Sequence, residues 1–358
     1  MPERGLPPPG PGHPSRSGSV VARGPSPQDC WYLALESLGE RARLRYTEID
    51  RDGAELSRHE FPQTEVDAIG GLLRALRARR YPALQVPKMS LSLMRRVLGP
   101  ADLAQKLVAL AAVPFRRPVE WLRFDRGWKP DSRGGAAENA SGARLLSTEE
   151  TAAVHTACES LGVHPTALLI DAATSVLLER AVHPNARTAV LWSVAVNLRG
   201  EVPAASDDAD QSATIPLLLR PGEGVRAAAR AMAWAEAQGF HWRAWKMHRL
   251  LCRLGPPVAR IRARFELGRR RSPWLGSFTN LGAWSSSREE ALGWHVYTSP
   301  LRSRPIAAAC LVWNGRLSLT LAAHPALTRD PLEVKGWTEA WADRVLSLAG
   351  DVLSGASS

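Results

Sequence analysis

Residues 146–177 read LSTEETAAVHTACESLGVHPTALLIDAATSVL. Ser147 and Glu150 have the spacing of a capping box: the hydroxyl takes the third helical amide and the carboxylate reaches back to the cap amide. A helix therefore starts at this point, and Gly162, free to adopt the left-handed conformation, ends it. A second helix follows over residues 166–181. It is apolar on nearly every face, so it is buried. Next comes ARTAVLWSVAVNLRG (186–200), an unbroken apolar run that reads as a strand buried on both sides, followed by a loop. VRAAARAMAWAEA (225–237) is a further helix. Residues 240–271 are basic and helical, with a break at Gly255-Pro256-Pro257. WLGSFTNLGAW (274–284) is a strand and loop, and IAAACLVWNGRLSLTLAAH (306–324) is a hairpin turning at Asn314-Gly315. An amphipathic helix over 332–353 closes the chain. Helices and hairpins in this order predict an α/β (α+β) fold with a mixed sheet.

Upstream, residues 1–28 are rich in Pro, Gly, Ser and Arg and predict a disordered tail. CWYLALESLG (30–39) is amphipathic, a short helix or strand. ARLRYTEID (42–50) and AELSRHEF (54–61) alternate around a turn and predict a hairpin. Val66, Ile69, Leu72, Leu73 and Leu76 recur at helical spacing until Pro82. Residues 88–124 read as helical, punctuated by prolines, and the Gly- and Ala-rich stretch 131–143 as a linker between two units. The division is a first unit over 29–130 and a second over 144–358.

The 358 residues can house two lobes. Lys and Arg total 46 against 35 acids, a net charge of +11, which favours anionic partners. Arginine predominates over lysine, through codon bias or through phosphate recognition. Cys30, Cys158, Cys252 and Cys310 are scattered and lie near no histidine at ligand spacing, so neither a disulfide framework nor a metal site is predicted. Reduced thiols and the lack of a signal segment predict a cytoplasmic protein. The longest apolar stretch, 107–115, is too short to span a bilayer.

Four stretches of the second unit, 146–177, VAVNLRG (194–200), SFTNLGAW (277–284) and VWNGRLSLTLAAHPAL (312–327), together resemble the C-terminal lobe of thioester-dependent acyltransferases. That superfamily includes chloramphenicol acetyltransferase, nonribosomal-peptide condensation domains, alcohol acetyltransferases and wax-ester synthases. The resemblance implies two chloramphenicol-acetyltransferase-like lobes with a tunnel between them. The first unit is shorter than the family's N-terminal portion, so its lobe is expected to be reduced. No permanently bound cofactor is implied; the substrate would be a coenzyme A or phosphopantetheine thioester, the latter on an acyl carrier protein.

The family's signature is HHxxxDG, between a strand and a helix, whose second histidine is the general base. The matching context here is AELSRHEFPQTEVDAIGGLLRAL (54–76), which places Pro62 and Gln63 at the two histidines, Asp67 at the aspartate and Ala68 at the glycine. Gln63 cannot act as a base. His59, eight residues before Asp67, is either a surface residue of the hairpin or a displaced base. In the family the motif aspartate pairs with an arginine; Arg199 is the candidate here, the alternative being that Asp67 only caps the helix after it. His155 and His164 read as structural, and His241 and His248 as solvated. The segment 243–271 holds ten Lys or Arg and one acid, Glu266. It is a solvated helix face, a docking surface for a carrier or for coenzyme A phosphates through Arg269, Arg270 and Arg271, or a nucleic-acid stripe. The functions this leaves are an acyltransferase with its base lost, a non-catalytic protein that binds a carrier or another partner of a natural-product pathway, and, less favoured, a nucleic-acid-binding protein.

Overall fold

A computed structural model describes residues 29–50, 52–81, 118–129, 139–186, 188–202, 204, 206–268, 272–286 and 292–355. In chain order the elements are α1 (Asp29–Glu36), β1 (Arg43–Ile49), β2 (Glu55–Pro62), α2 (Ala68–Ala78), β3 (Ala140–Leu145), α3 (Thr148–Leu161), α4 (Pro165–Arg180), β4 (Val190–Asn197), β5 (Ser212–Leu219), α5 (Val225–Ala237), α6 (Phe240–Leu254), α7 (Pro256–Gly268), β6 (Trp274–Trp284), β7 (Gly293–Tyr297), β8 (Ile306–Trp313), β9 (Arg316–Ala323) and α8 (Pro331–Leu353). The predicted caps set the boundaries of α3. Ser147 Oγ accepts from the Glu150 amide at 3.1 Å, Glu150 Oε2 accepts from the Ser147 amide at 2.7 Å, and Gly162 ends the helix at φ 64°.

The strands form two sheets, a six-stranded one in the order β3-β9-β8-β6-β4-β5 and a three-stranded one in the order β2-β1-β7. β4 and β8 run parallel to β6 in the larger sheet, and its other pairs are antiparallel. VAVNLRG and the hairpin over 306–323 therefore lie in one sheet. The fold is the mixed α/β type that the sequence predicts, and its described strands form two sheets.

β8 joins the two cores because successive strand residues face opposite sides. Ile306, Ala308 and Cys310 enter the core beneath α3, α4 and α8, while Ala309, Leu311 and Trp313 pack with α2, Trp294 and Val296. Two of the buried indoles are satisfied by hydrogen bonds: Trp192 Nε1 donates to Thr174 Oγ1 at 2.8 Å and Trp341 Nε1 to the Leu169 carbonyl at 2.9 Å, whereas Nε1 of Trp294 and of Trp313 is buried without a partner among the described residues.

Four expectations are corrected. The end of the expected linker, 140–143, belongs to strand β3, whose Gly142 is required by packing: a Cβ there would lie 2.6 Å from the Lys335 Cα of α8. Residues 118–124 are not helical and contribute only a bridge from Trp121 to Val182. The predicted N-terminal hairpin is present and takes β7, residues 293–297, as a third strand. Cys30 and Cys252 are not reduced thiols; they form a disulfide, Cα atoms 5.5 Å apart, tying α1 to α6. His241 is fully buried rather than solvated. The segments 1–28 and 88–117 lie outside the described residues.

Candidate functional site

β2 ends at Pro62, and the chain crosses five residues to enter α2 at Ala68. This crossing brings Gln63 and Asp67 to the end of β4, where the loop 198–211 begins. Asp67 serves both functions weighed for it. Its Oδ1 accepts from the Gly70 amide at 2.7 Å, the helix cap, and from Arg199 Nη2 at 2.7 Å. Its Oδ2 accepts from Arg199 Nη1 at 2.8 Å and from the Gln211 amide at 2.9 Å. Both side chains are buried, with 6% exposure for Arg199 and 5% for Asp67. Arg199 uses its remaining donors on the carbonyls of Asp207, at 3.0 Å, and Ala209, at 3.1 Å. A carboxylate so occupied is a structural anchor.

Two further pairs fasten α2 to the same loop, Arg74 to Asp208 at 2.7 Å and Arg77 to Asp207 at 2.5 Å. Desolvation pushes the Asp208 carboxyl up, but the Ser206 hydroxyl and Arg74 overcome it and hold the group below the usual carboxylate range. Gly70 permits this approach, because a Cβ there would collide with the Asp208 carbonyl. Gly70 and Gly71 thus serve packing.

Three cavities adjoin, and this anchor lines the central one. The central one, about 90 Å³, is lined among others by Tyr32, Gln63, Asp67, Asn197, Arg199, Asp210, Asn280 and Arg304. On one side it shares Ile69, Ala195, Val196, Asn197 and Asn280 with an outer cavity of about 680 Å³ between the start of α4 and α5. On the other it shares Thr298 and Ser299 with an outer cavity of about 580 Å³. The lining of that second mouth includes Arg41, Arg43, Arg45, Arg58, Lys129 and Arg329 against Glu36, Glu40 and Glu60.

The central cavity is rich in hydroxyls, supplied by Ser193, Ser212, Thr214, Ser277 and Thr279. Tyr32 is kept protonated: burial, then the Asp210 carboxylate, push its phenol up. Arg304 donates to Ser193 Oγ at 3.2 Å and to Glu266 at 3.1 Å, with its guanidinium 5.0 Å from the Trp274 ring. Asp210 Oδ1 accepts from the Ser212 amide and hydroxyl at 3.0 and 2.9 Å. Such a wall can hold a neutral polar group such as an amide or thioester carbonyl.

No histidine is among the described residues that line the central cavity. His59 does not reach it; its ring lies 6.3 Å from Trp294 and 6.5 Å from Phe61, on the small sheet, and burial lowers its pKa. His324 lines the cationic mouth, but its Nδ1 accepts the Ala326 amide at 3.1 Å and its Nε2 lies 3.4 Å from Glu40. His164, in the other mouth, caps α4 by accepting the Thr166 amide at 3.2 Å. Arg269, Arg270 and Arg271 lie outside the described residues. Sequence reasoning missed Tyr32, Asp210 and Arg304, since no local pattern marks them.

No protein-family model matches the chain, and no curated protein matches it in sequence. Solved structures do. The first condensation domain of the calcium-dependent antibiotic synthetase, in complex with a substrate analogue, is 14% identical with a TM-score of 0.53; the match covers 93% of this chain and 97% of that one. The epimerization domain from the third module of tyrocidine synthetase B is 11% identical with a TM-score of 0.51, covering 83% and 69%. The nonribosomal peptide synthetase FmoA3 is 17% identical with a TM-score of 0.53, covering 91% of this chain and 42% of that one. At these identities the likeness establishes the fold: the chain has the two-sheet architecture of condensation domains.

Proposed function

We propose that this chain binds an acyl thioester, carried by the phosphopantetheine of a carrier protein or by coenzyme A, between its two sheets without transferring it by general-base catalysis. The observation that carries the reading is the histidine-free lining of the central cavity, with Gln63 at its edge and Asp67 committed to Arg199. A glutamine amide does not take a proton near neutral pH. The cationic mouth suits the phosphate of either thioester carrier. The test is titration with an acyl-pantetheine analogue in which an amide replaces the thioester. Binding is expected, and Ala195→Trp, which fills the wall shared by the central and larger cavities, should abolish it. Undiminished affinity in that variant would remove the cleft as the site.

A second reading, acyl transfer, rests on Asp210, a 4% exposed carboxylate in the central lining that could stand in for the missing base. If it holds, the wild type turns over a thioester substrate and Asp210→Asn binds the amide analogue but loses turnover.

A further inference from the structure

α6 and α7 carry an unusual outer surface. Met247, Leu250 and Leu254 of α6 are 42%, 48% and 55% exposed; Val258, Ile261 and Phe265 of α7 are 36%, 67% and 66% exposed. Within each helix the three follow the i, i+3, i+7 spacing that sets them in one stripe. The second set repeats the first at an offset of 11 residues. Arginines repeat with the same offset: exposed Arg249 and Arg253 on α6, exposed Arg260 and Arg264 on α7. At 100° per residue these arginines fall on the solvent side of each stripe, opposite the edge that meets the buried face. The buried faces are occupied by α1, through Leu251, Ala259, Ala263, Trp31 and Leu35, and the Cys30–Cys252 disulfide fastens that packing. Glu266, the lone acid of the segment, turns inward to Arg304 and Ser303. The exposed faces of the two helices thus carry six large apolar side chains and four arginines between them.

We propose that the α6–α7 surface is a docking site for an anionic lipid bilayer, with the apolar stripes entering the interfacial region and the four arginines meeting the headgroups. Charge complementarity selects an anionic partner. Of the anionic partners, nucleic acid would leave the apolar stripes unburied, since phosphates meet arginines and bases stack on aromatic rings, of which the stripes hold only Phe265. An acidic helix of a protein would need a groove for its own apolar side chains, and none of these six residues lines the cavities described above. A stripe of exposed apolar side chains bordered by arginines matches an interfacial amphipathic surface. No single helix among the described residues is long and apolar enough to cross a membrane; the contact proposed is made by side chains on the outer faces of α6 and α7. This inference does not depend on the acyl-thioester reading.

The experiment is co-sedimentation of the full chain with vesicles of phosphatidylcholine alone or with about one third phosphatidylserine. Binding is expected to the second and not the first, and to weaken as salt rises past the roughly 10 Å screening length at 0.1 M. Each arginine near such a surface is worth about fivefold in partitioning, so Arg249→Gln with Arg260→Gln should lower it about 25-fold. Ile261→Ser with Phe265→Ser should lower it at least tenfold with the arginines intact. Circular dichroism and the melting temperature of both variants should match the wild type, because all four positions face solvent. Failure to bind the anionic vesicles, equal binding to the neutral ones, or insensitivity to both pairs of substitutions would overturn the proposal. So would capture of an acidic amphipathic peptide by this surface with no vesicle binding.

Discussion

Asp67→Asn separates the two functions of this side chain. Asparagine caps a helix as well as aspartate does, so its carbonyl oxygen can keep the bond to the Gly70 amide. Its amide nitrogen would then face Arg199 and the Gln211 amide, donor against donor, and leave the buried guanidinium without a counter-charge. Loss of the cap alone would cost about 1 kcal/mol. Breaking one side of a buried ion pair costs about 3 to 5 kcal/mol, and the near-complete burial of both partners places this pair in that class. The urea slope grows with chain size, so at 358 residues it is at the top of or above the small-protein range, about 3 kcal/mol/M, and the unfolding midpoint should fall by about 1 M. Arg199→Gln should lose a comparable amount. The double variant should be little worse than either single, so the coupling should be about as large as one single loss, about 3 to 5 kcal/mol. The assay is urea unfolding of the four proteins at pH 7. A loss below about 1 kcal/mol in Asp67→Asn, or additive losses in the double variant, would leave capping as the function of Asp67 and refute the anchor.

Two other outcomes follow from burial and connectivity. Cys30 and Cys252 are 222 residues apart, and their bond should contribute about 2 to 5 kcal/mol; Cys30→Ser should unfold at lower urea and lose the wild type's sensitivity to reductant, whereas alkylation of both thiols in unreduced protein would contradict the bond. Burial holds His241 and, with Arg45 nearby, His295 at about 4. Both are neutral in the fold over a range where the unfolded chain, titrating near about 6.5, binds protons. Stability is then full above that unfolded value and falls as pH drops toward about 4, by up to about 1.4 kcal/mol per pH unit for each group. A urea midpoint that does not change between pH 7.5 and 5 would contradict it.

Local rules made much of the fold legible. The Ser147–Glu150 box, Gly162 and the Asn314-Gly315 turn, with φ of 46° and 77°, each set a boundary by chemistry confined to a few residues. Elements that depend on distant partners were not legible. β5 contains Pro216, which reads as a strand breaker; it is tolerated because β5 is the edge of the larger sheet. β7 has five residues and exists by pairing with β1, some 250 positions upstream. The glycines around β3 resemble a linker until α8 is seen to lie against Gly142. The Asp67–Arg199 pair could be anticipated because family resemblance named both partners. Tyr32, Asp210 and Arg304 come together only through the folded loops, and single isolated residues carry no periodicity to betray them.

The central claim is the proposal that a chain with the condensation-domain fold binds an acyl thioester, without transferring it, in a cleft whose described lining holds no histidine. A single-turnover measurement with a radiolabelled acyl thioester and a panel of amine and alcohol acceptors, at enzyme in excess over thioester, tests it most directly. The account predicts that the thioester is bound and recovered intact by the wild type. Rapid acyl transfer by the wild type would contradict it: undiminished in Asp210→Asn, it would mean a base outside the described lining, and lost in that variant, it would favour the second reading.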